Sequence, residues 1–126
     1  MPASVKELLS AANERVPRIT AGEARRLIDQ EGALLLDVRD AQELVQSGKL
    51  KDALNVSRGM LEFRADDATP YHNPEFRRER PIILYCASGG RSALSGKALQ
   101  DMGYERVYNL GGFKEAAEAG FSTEQT

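Results

Sequence analysis

The chain has one cysteine, one histidine and no tryptophan among its 126 residues. A single cysteine excludes a disulfide within the chain, so thiol exchange would need a second molecule, and it is compatible with a reducing compartment. Zinc sites take about three or four ligands from cysteine, histidine and carboxylate side chains. Because Cys86 and His72 supply only two such ligands, we expect no bound metal, and we expect no cofactor.

The chain also lacks a large net charge and long apolar runs. The 17 basic and 19 acidic side chains leave a net charge of -2, which argues against non-specific nucleic-acid binding. No apolar run approaches the roughly 18 residues of a membrane span, and residues 1–7 lack the basic and apolar parts of a signal peptide. We therefore predict a cytoplasmic protein with no nucleic-acid or membrane partner, present as a monomer or weak homodimer.

Two helix-start signals lie near the N-terminus. Ser4 with Glu7, and Thr20 with Glu23, have the spacing of capping boxes. Apolar residues at helical spacing follow each pair, and Gly32 is placed to end the second helix. These signals predict two amphipathic helices in the first quarter of the chain.

Short apolar runs separated by helical segments predict strands over residues 18–19, 33–38, 54–56, 81–86 and 106–108. Residues 65–80 contain two prolines and predict an irregular surface segment. Such alternation predicts an α/β fold whose sheet has about five mostly parallel strands, helices on both faces and functional residues at the carboxyl ends of strands. We assign residues 18–126 to this domain and residues 1–17 to an N-terminal helical extension.

The single cysteine stands where a thiol becomes reactive. Cys86 ends a buried strand, and small residues and Arg91 follow before the next helix; we call residues 86–91 the cysteine loop. Backbone N–H groups of such a loop, a helix N-terminus and a cation all favour thiolate over thiol. An ordinary cysteine, with a pKa of about 8.5, is only slightly ionised at neutral pH, so these effects together decide whether Cys86 is a nucleophile.

Several polar side chains near the predicted strand ends are candidates for roles at this site. Arg91 is assigned to catalysis, and Arg58 to binding an anionic substrate. Ser88 and Ser92 could donate hydroxyl groups, although Ser92 is equally suited to capping the helix. His72 lies in the proline-containing segment and is expected to be exposed and structural.

A second group of charges follows the strand at residues 33–38. Asp37, Arg39 and Glu43 are close in sequence, and we interpret them as a structural ion-pair network at the strand end rather than as acid–base groups. Glu62 could border the pocket.

Taken together, these segments resemble a single-domain rhodanese of the thiosulfate sulfurtransferase family. The resemblance runs from about residue 19 to residue 120 and rests on the order and spacing of segments 36–39, 53–56, 85–92, 99–104 and 107–113. It implies a rhodanese-like fold and a double displacement, in which Cys86 takes a sulfane sulfur from a small-molecule donor such as thiosulfate and passes it to cyanide or a thiol. It also implies that the persulfide is bound by Ala87, Ser88, Gly89, Gly90 and the following Ser92, with Arg91 as a catalytic residue.

One segment departs from the family pattern. Residues 48–53 read Gly-Lys-Leu-Lys-Asp-Ala, where the family usually has Gly-His-Ile-Pro-Gly-Ala. Without the Pro-Gly pair we expect the local turn to differ while the cysteine loop is unaffected.

Two alternatives of other classes remain open. The chain could be a rhodanese-like module that binds a partner or senses redox state without turnover. It could also be a cysteine phosphatase or arsenate reductase, but only four residues separate Cys86 from Arg91, one fewer than in those enzymes. The shorter loop suits a single sulfur atom better than a tetrahedral oxyanion.

Overall fold

The computed structural model describes residues 2–126, in which short helices and strands alternate. The elements in chain order are α1 Val5–Arg15, α2 Ala21–Glu31, β1 Leu34–Asp37, α3 Ala41–Ser47, β2 Lys49–Leu50, β3 Leu54–Asn55, a 3-10 turn Arg58–Met60, α4 Leu61–Ala65, β4 Ile82–Cys86, α5 Gly90–Asp101, β5 Val107–Gly112, α6 Phe113–Glu118 and β6 Thr123–Glu124. Both predicted capping boxes form, and Gly32 ends α2 in the left-handed conformation.

The central sheet has four parallel strands in the order β3-β1-β4-β5. This confirms the predicted parallel α/β fold, and it brings the carboxyl ends of all four strands to one edge. The strand predicted at residues 18–19 is only a single parallel bridge, between Arg18 and Asn109 on the outer edge of β5. Pro17 and the cap residue Thr20 leave too few residues between α1 and α2 for a longer strand.

Helices cover both faces of the sheet, as predicted. On one face the buried side chains include Val16, Leu34, Leu36, Ile82, Leu84, Leu99 and Val107; on the other they include Ala24, Leu27, Leu35, Ile83, Tyr85 and Ala116. Alternate residues of β1 and β4 therefore enter opposite cores, which explains the continuous apolar runs at residues 34–36 and 82–86.

The predicted last strand, at residues 106–108, is not the last. β5 continues to Gly112, and β6 returns to pair antiparallel with β2, with Lys49 ion-paired to Glu124. The segment at residues 48–53, which departs from the family pattern, contains a left-handed residue. Asp52 has a φ of 67° at the position where the family pattern has glycine. This left-handed conformation is one that glycine adopts without steric cost and aspartate tolerates.

The N-terminal helix α1 packs against α5. Val16 is fully buried, and a Cβ on Gly96 would lie 2.8 Å from its Cγ1. Gly96 is therefore required by the close approach of Val16. The division between residues 1–17 and 18–126 stays a prediction.

Candidate active site

The cysteine loop joins the end of β4 to the start of α5, as predicted. Cys86 is the last residue of β4, and its side chain is almost entirely buried. Gly89 takes the cap position of α5 with a φ of 103°, a conformation that side chains other than glycine rarely adopt. The chain therefore turns sharply over the sulfur before the helix begins.

Hydrogen-bond donors surround the sulfur. The backbone N–H of Gly89 donates to Sγ at 3.0 Å, and the Ser92 Oγ lies 3.5 Å from Sγ. Burial raises the pKa of the Cys86 thiol, but the Ser92 hydroxyl and the N–H groups of Ser92, Ser88 and Gly89 outweigh it and hold the pKa below its ordinary value. The local structure thus favours a thiolate at residue 86.

Arg91 has a close acidic partner. Its Nη1 and Nη2 donate to the two carboxylate oxygens of Glu43, at 2.7 and 2.9 Å. This bond lowers the pKa of Glu43 from its ordinary 4.5 to about 2, and the pair in turn raises the pKa of Arg91, with a smaller contribution from Cys86. Glu43 therefore offsets part of the positive charge that Arg91 presents to the sulfur.

The predicted network of Asp37, Arg39 and Glu43 divides into two. Asp37 and Arg39 do form a structural ion pair, 2.8 Å apart and buried at the end of β1, where Arg39 also donates to the carbonyl of Gly48. Glu43 does not join it, because its carboxylate instead meets Arg91 across the sheet edge. The inclusion of Glu43 was wrong because nearness in sequence gave no sign of the α3–α5 contact.

Asn109 is a site residue that sequence reasoning missed. Its side chain is fully buried on β5. Oδ1 accepts from the Ser92 hydroxyl at 2.8 Å and from the Gly111 N–H at 2.9 Å, and Nδ2 donates to the Gly89 carbonyl at 3.0 Å. Asparagine is depleted in strands, so its presence beside two glycines was the available signal.

The Ser92 hydroxyl has one proton and two neighbours that can accept it. In the thiol form, the S–H can donate to Ser92 Oγ while the hydroxyl donates to Asn109. In the thiolate form the hydroxyl can turn to the sulfur, and the Gly111 N–H still satisfies Asn109. Ser92 lies inside the first turn of α5 rather than at its cap, so the capping interpretation was wrong.

Of the remaining predicted residues, two belong to the cysteine loop, whereas Arg58, Glu62 and His72 make no side-chain hydrogen bond to it. Ala87 and Ser88 form the exposed outer part of the loop. Arg58 pairs with Glu62 at 2.9 Å, and both are partly exposed. His72 is half-buried rather than exposed.

No group of three or more metal-ligating side chains occurs in residues 2–126. In the same part of the chain, every helix is too short or too polar to cross a bilayer.

A cavity of about 250 Å³ adjoins the cysteine loop. Its lining includes Ala87, Glu43, Phe113 and Lys114. A larger cavity of about 700 Å³ lies near the start of β1, and no residue of the cysteine loop lines it. The smaller cavity is therefore the one that adjoins the cysteine loop.

The chain is similar to sulfurtransferases in sequence. A sulfurtransferase of Allochromatium vinosum is 35% identical over 89 residues, which cover 71% of this chain and 75% of that protein. The thiosulfate sulfurtransferase GlpE of Actinobacillus pleuropneumoniae is 30% identical over 113 residues, or 89% of this chain and 96% of that enzyme.

Solved structures have the same fold. A protein of unknown function from Rhodopseudomonas palustris, described as a possible tyrosine phosphatase, has a TM-score of 0.88 and 35% identity, covering 98% of this chain and 96% of its own. The polysulfide-sulfur transferase homodimer of Wolinella succinogenes has a TM-score of 0.75 and 29% identity, covering 96% of this chain and 87% of its own. The model of the rhodanese-like domain matches residues 20–119, and the chain belongs to that family.

Proposed function

We propose that this protein is a sulfurtransferase that carries sulfur as a persulfide on Cys86. The observation that carries this proposal is the buried sulfur, which accepts a hydrogen bond from the loop backbone and lies beside the Ser92 hydroxyl. The names of the sequence relatives support the same reaction class.

The first half-reaction loads the enzyme. The Cys86 thiolate attacks the outer sulfur of thiosulfate, a new S–S bond forms, and the bond to the inner sulfur breaks so that sulfite leaves with the electron pair. The loop N–H groups and Ser92 stabilise the charge on the attacking sulfur and then on the persulfide. Arg91, held by Glu43, would contribute positive charge at the entrance, and Arg58 is the further candidate for binding the donor.

The second half-reaction unloads it. Cyanide or a thiolate attacks the outer sulfur of the persulfide, the S–S bond breaks, and Cys86 leaves as the thiolate. The products are thiocyanate or the persulfide of the acceptor. Since the chain has one cysteine, no internal thiol can discharge the persulfide, so the loaded form should persist until an external acceptor arrives.

Intact-mass measurement tests this directly. After incubation with thiosulfate and removal of excess reagent, the chain should gain one sulfur atom, which cyanide or dithiothreitol should remove. Cys86→Ser is the matched control and should gain none while keeping its fold. Absence of the adduct in folded wild-type protein would contradict the mechanism and favour a binding or redox-sensing module.

A phosphatase is the second candidate, because the Rhodopseudomonas palustris relative is described as a possible tyrosine phosphatase. The four residues between Cys86 and Arg91 leave less room for a tetrahedral phosphate with three oxygens to satisfy. Assaying p-nitrophenyl phosphate beside thiosulfate separates the two activities. Turnover of the phosphate ester without persulfide formation would select the phosphatase.

The setting of this activity is also part of the proposal. We place the protein in the cytoplasm as a monomer or weak homodimer, acting on small-molecule donors and acceptors. Sedimentation over a range of protein concentrations would test the oligomeric state.

A further inference from the structure

We propose that Arg18 supplies the uncompensated positive charge that attracts anionic sulfur donors to the cysteine loop. The identity of the ligand as a sulfur donor rests on the proposed function, whereas the attraction of small anions to Cys86 does not. The ligand class is a small anion with a transferable terminal sulfur, such as thiosulfate or an organic thiosulfonate.

The first support is the position of the guanidinium. A Cβ on Gly89 would lie 3.5 Å from Arg18 Nη1, and a Cβ on Gly111 would lie 3.1 Å from Arg18 Cζ. The first distance is an ordinary contact, whereas the second is too close, so the lack of a side chain at Gly111 lets the guanidinium lie beside the backbone of Gly111 and Gly89. Gly89 is also the residue whose N–H donates to the sulfur. The Arg18 guanidinium therefore lies beside the same residue that binds the reacting atom.

The second support is charge. Three arginines near the carboxyl edge of the sheet are ion-paired, Arg39 with Asp37, Arg58 with Glu62 and Arg91 with Glu43. Arg18 has neither an ion pair nor a side-chain hydrogen bond within residues 2–126. A paired arginine presents only part of its charge to an approaching anion, whereas an unpaired one presents all of it.

The backbone on either side fixes this position. The Ile19 N–H donates to the Asn109 carbonyl at 3.1 Å, and the Asn109 N–H donates to the Pro17 carbonyl at 2.8 Å. Arg18 is thereby tied to the strand residue whose side chain holds Gly89 and Ser92. It also lies just before residues 20–119, which the family model matches.

Lys114 is the competing source of charge. It is exposed and lines the 250 Å³ cavity together with Ala87. The carboxylate of Glu43 lines the same cavity, so the charge there is mixed. The experiment must therefore compare the two cations.

Alkylation of Cys86 with two reagents measures the attraction independently of sulfur transfer. Iodoacetate is an anion and iodoacetamide is neutral, so the ratio of their rate constants reports the charge at the site and cancels changes in thiol pKa and access. Arg18→Gln should lower this ratio about fivefold, as expected from about 1 kcal/mol for one solvated charge interaction. Arg18→Lys should retain most of it, and high salt should reduce the difference between wild type and Arg18→Gln.

Arg77→Gln is the matched control, because Arg77 is exposed and precedes the amino end of β4, at the opposite end of the sheet. It should leave the ratio unchanged. An unchanged ratio in Arg18→Gln, or a larger fall in Lys114→Gln, would overturn the proposal.

Steady-state kinetics then separate this proposal from the proposed function. If thiosulfate loads Cys86, Arg18→Gln should lower kcat/KM for thiosulfate mainly through KM, by a factor similar to the change in the alkylation ratio. If the ratio falls but thiosulfate never loads the wild-type protein, the anion site stands and the sulfurtransferase does not. If thiosulfate loads normally and the ratio is unchanged, only the role of Arg18 fails.

Discussion

The two flanks of the cysteine loop are held by different forces. On the β5 flank, Asn109 bonds Gly89 and Ser92 through neutral groups that are fully shielded from water. On the α3 flank, Glu43 and Arg91 form an ion pair whose side chains are about a third exposed. Buried neutral hydrogen bonds are insensitive to salt and mild acid, whereas exposed ion pairs are weak and respond to both. The position of the loop and the charge at its entrance can therefore change independently.

Breaking the β5 flank should have the largest effect. Asn109→Leu leaves the buried Gly111 N–H without its acceptor, which costs about 1–3 kcal/mol. It also removes one hydrogen bond each from the Gly89 carbonyl and the Ser92 hydroxyl, at about 0.5–1.5 kcal/mol apiece, because these groups keep the Ala93 N–H and the Cys86 sulfur as partners. We expect the free energy of unfolding in urea to fall by about 2–4 kcal/mol. Asn13→Leu, at an exposed position of α1, is the control and should change it little. A loss of less than about 1 kcal/mol in Asn109→Leu would show that the hydrogen bonds of Asn109 contribute little to stability.

Ser92→Ala weakens the same flank at the sulfur. Removing a hydrogen bond to a charged acceptor, worth about 1.5–3 kcal/mol, should raise the pKa of Cys86 because the thiolate loses a donor. The pH profile of iodoacetamide alkylation should move to higher pH, and sulfur transfer at neutral pH should slow by about tenfold. Ser88→Ala is the comparison, since Ser88 is exposed. Equal pH profiles of alkylation for wild type and Ser92→Ala would show that the Ser92 hydroxyl does not stabilise the thiolate.

Breaking the α3 flank should cost little stability and change the charge. Glu43→Gln removes an exposed ion pair worth about 1 kcal/mol or less. It also releases the full charge of Arg91, so the iodoacetate-to-iodoacetamide ratio at Cys86 should rise about threefold. A fall in that ratio would show that the main role of Glu43 is to position Arg91 rather than to reduce its effective charge.

Acid should reveal the smallest difference between the flanks. The pKa of Glu43 is lowered from 4.5 to about 2 in the folded chain, so its contribution to stability is fully present above about pH 4.5 and is lost as the pH falls toward 2. The difference in unfolding free energy between wild type and Glu43→Gln should therefore shrink over this range, while the effect of Asn109→Leu should persist. A constant difference for Glu43→Gln down to pH 2 would contradict the ion pair.

The two flanks also differ in how well the sequence predicts them. The strand, the loop and α5 follow from local signals: an apolar run, small residues and helical spacing. The partner of Arg91 lies 48 residues away on α3, and the local pattern instead grouped Glu43 with Asp37 and Arg39. From the sequence alone, Glu43 could pair with either Arg39 or Arg91, since both are cations. The choice depends on which arginine the fold brings next to α3.

Pairing between very short segments was equally beyond sequence reasoning. β2 and β6 have two residues each and are joined across more than 70 positions, so neither has the alternating pattern of a recognisable strand. The short strand predicted at residues 18–19 is present only as the single bridge at Arg18. In contrast, the two capping boxes were predicted correctly, since their physical cause lies within four consecutive residues.

The close contact between Val16 and Gly96 has a consequence for local unfolding. A glycine in the middle of a helix weakens it by about 1 kcal/mol relative to alanine, so α5 depends on α1 for part of its order. The two helices should open together in native-state hydrogen exchange, with their amides reporting one shared free energy. The N-terminal segment, though it precedes the residues that the family model matches, would then set how often the helix that follows the cysteine loop opens.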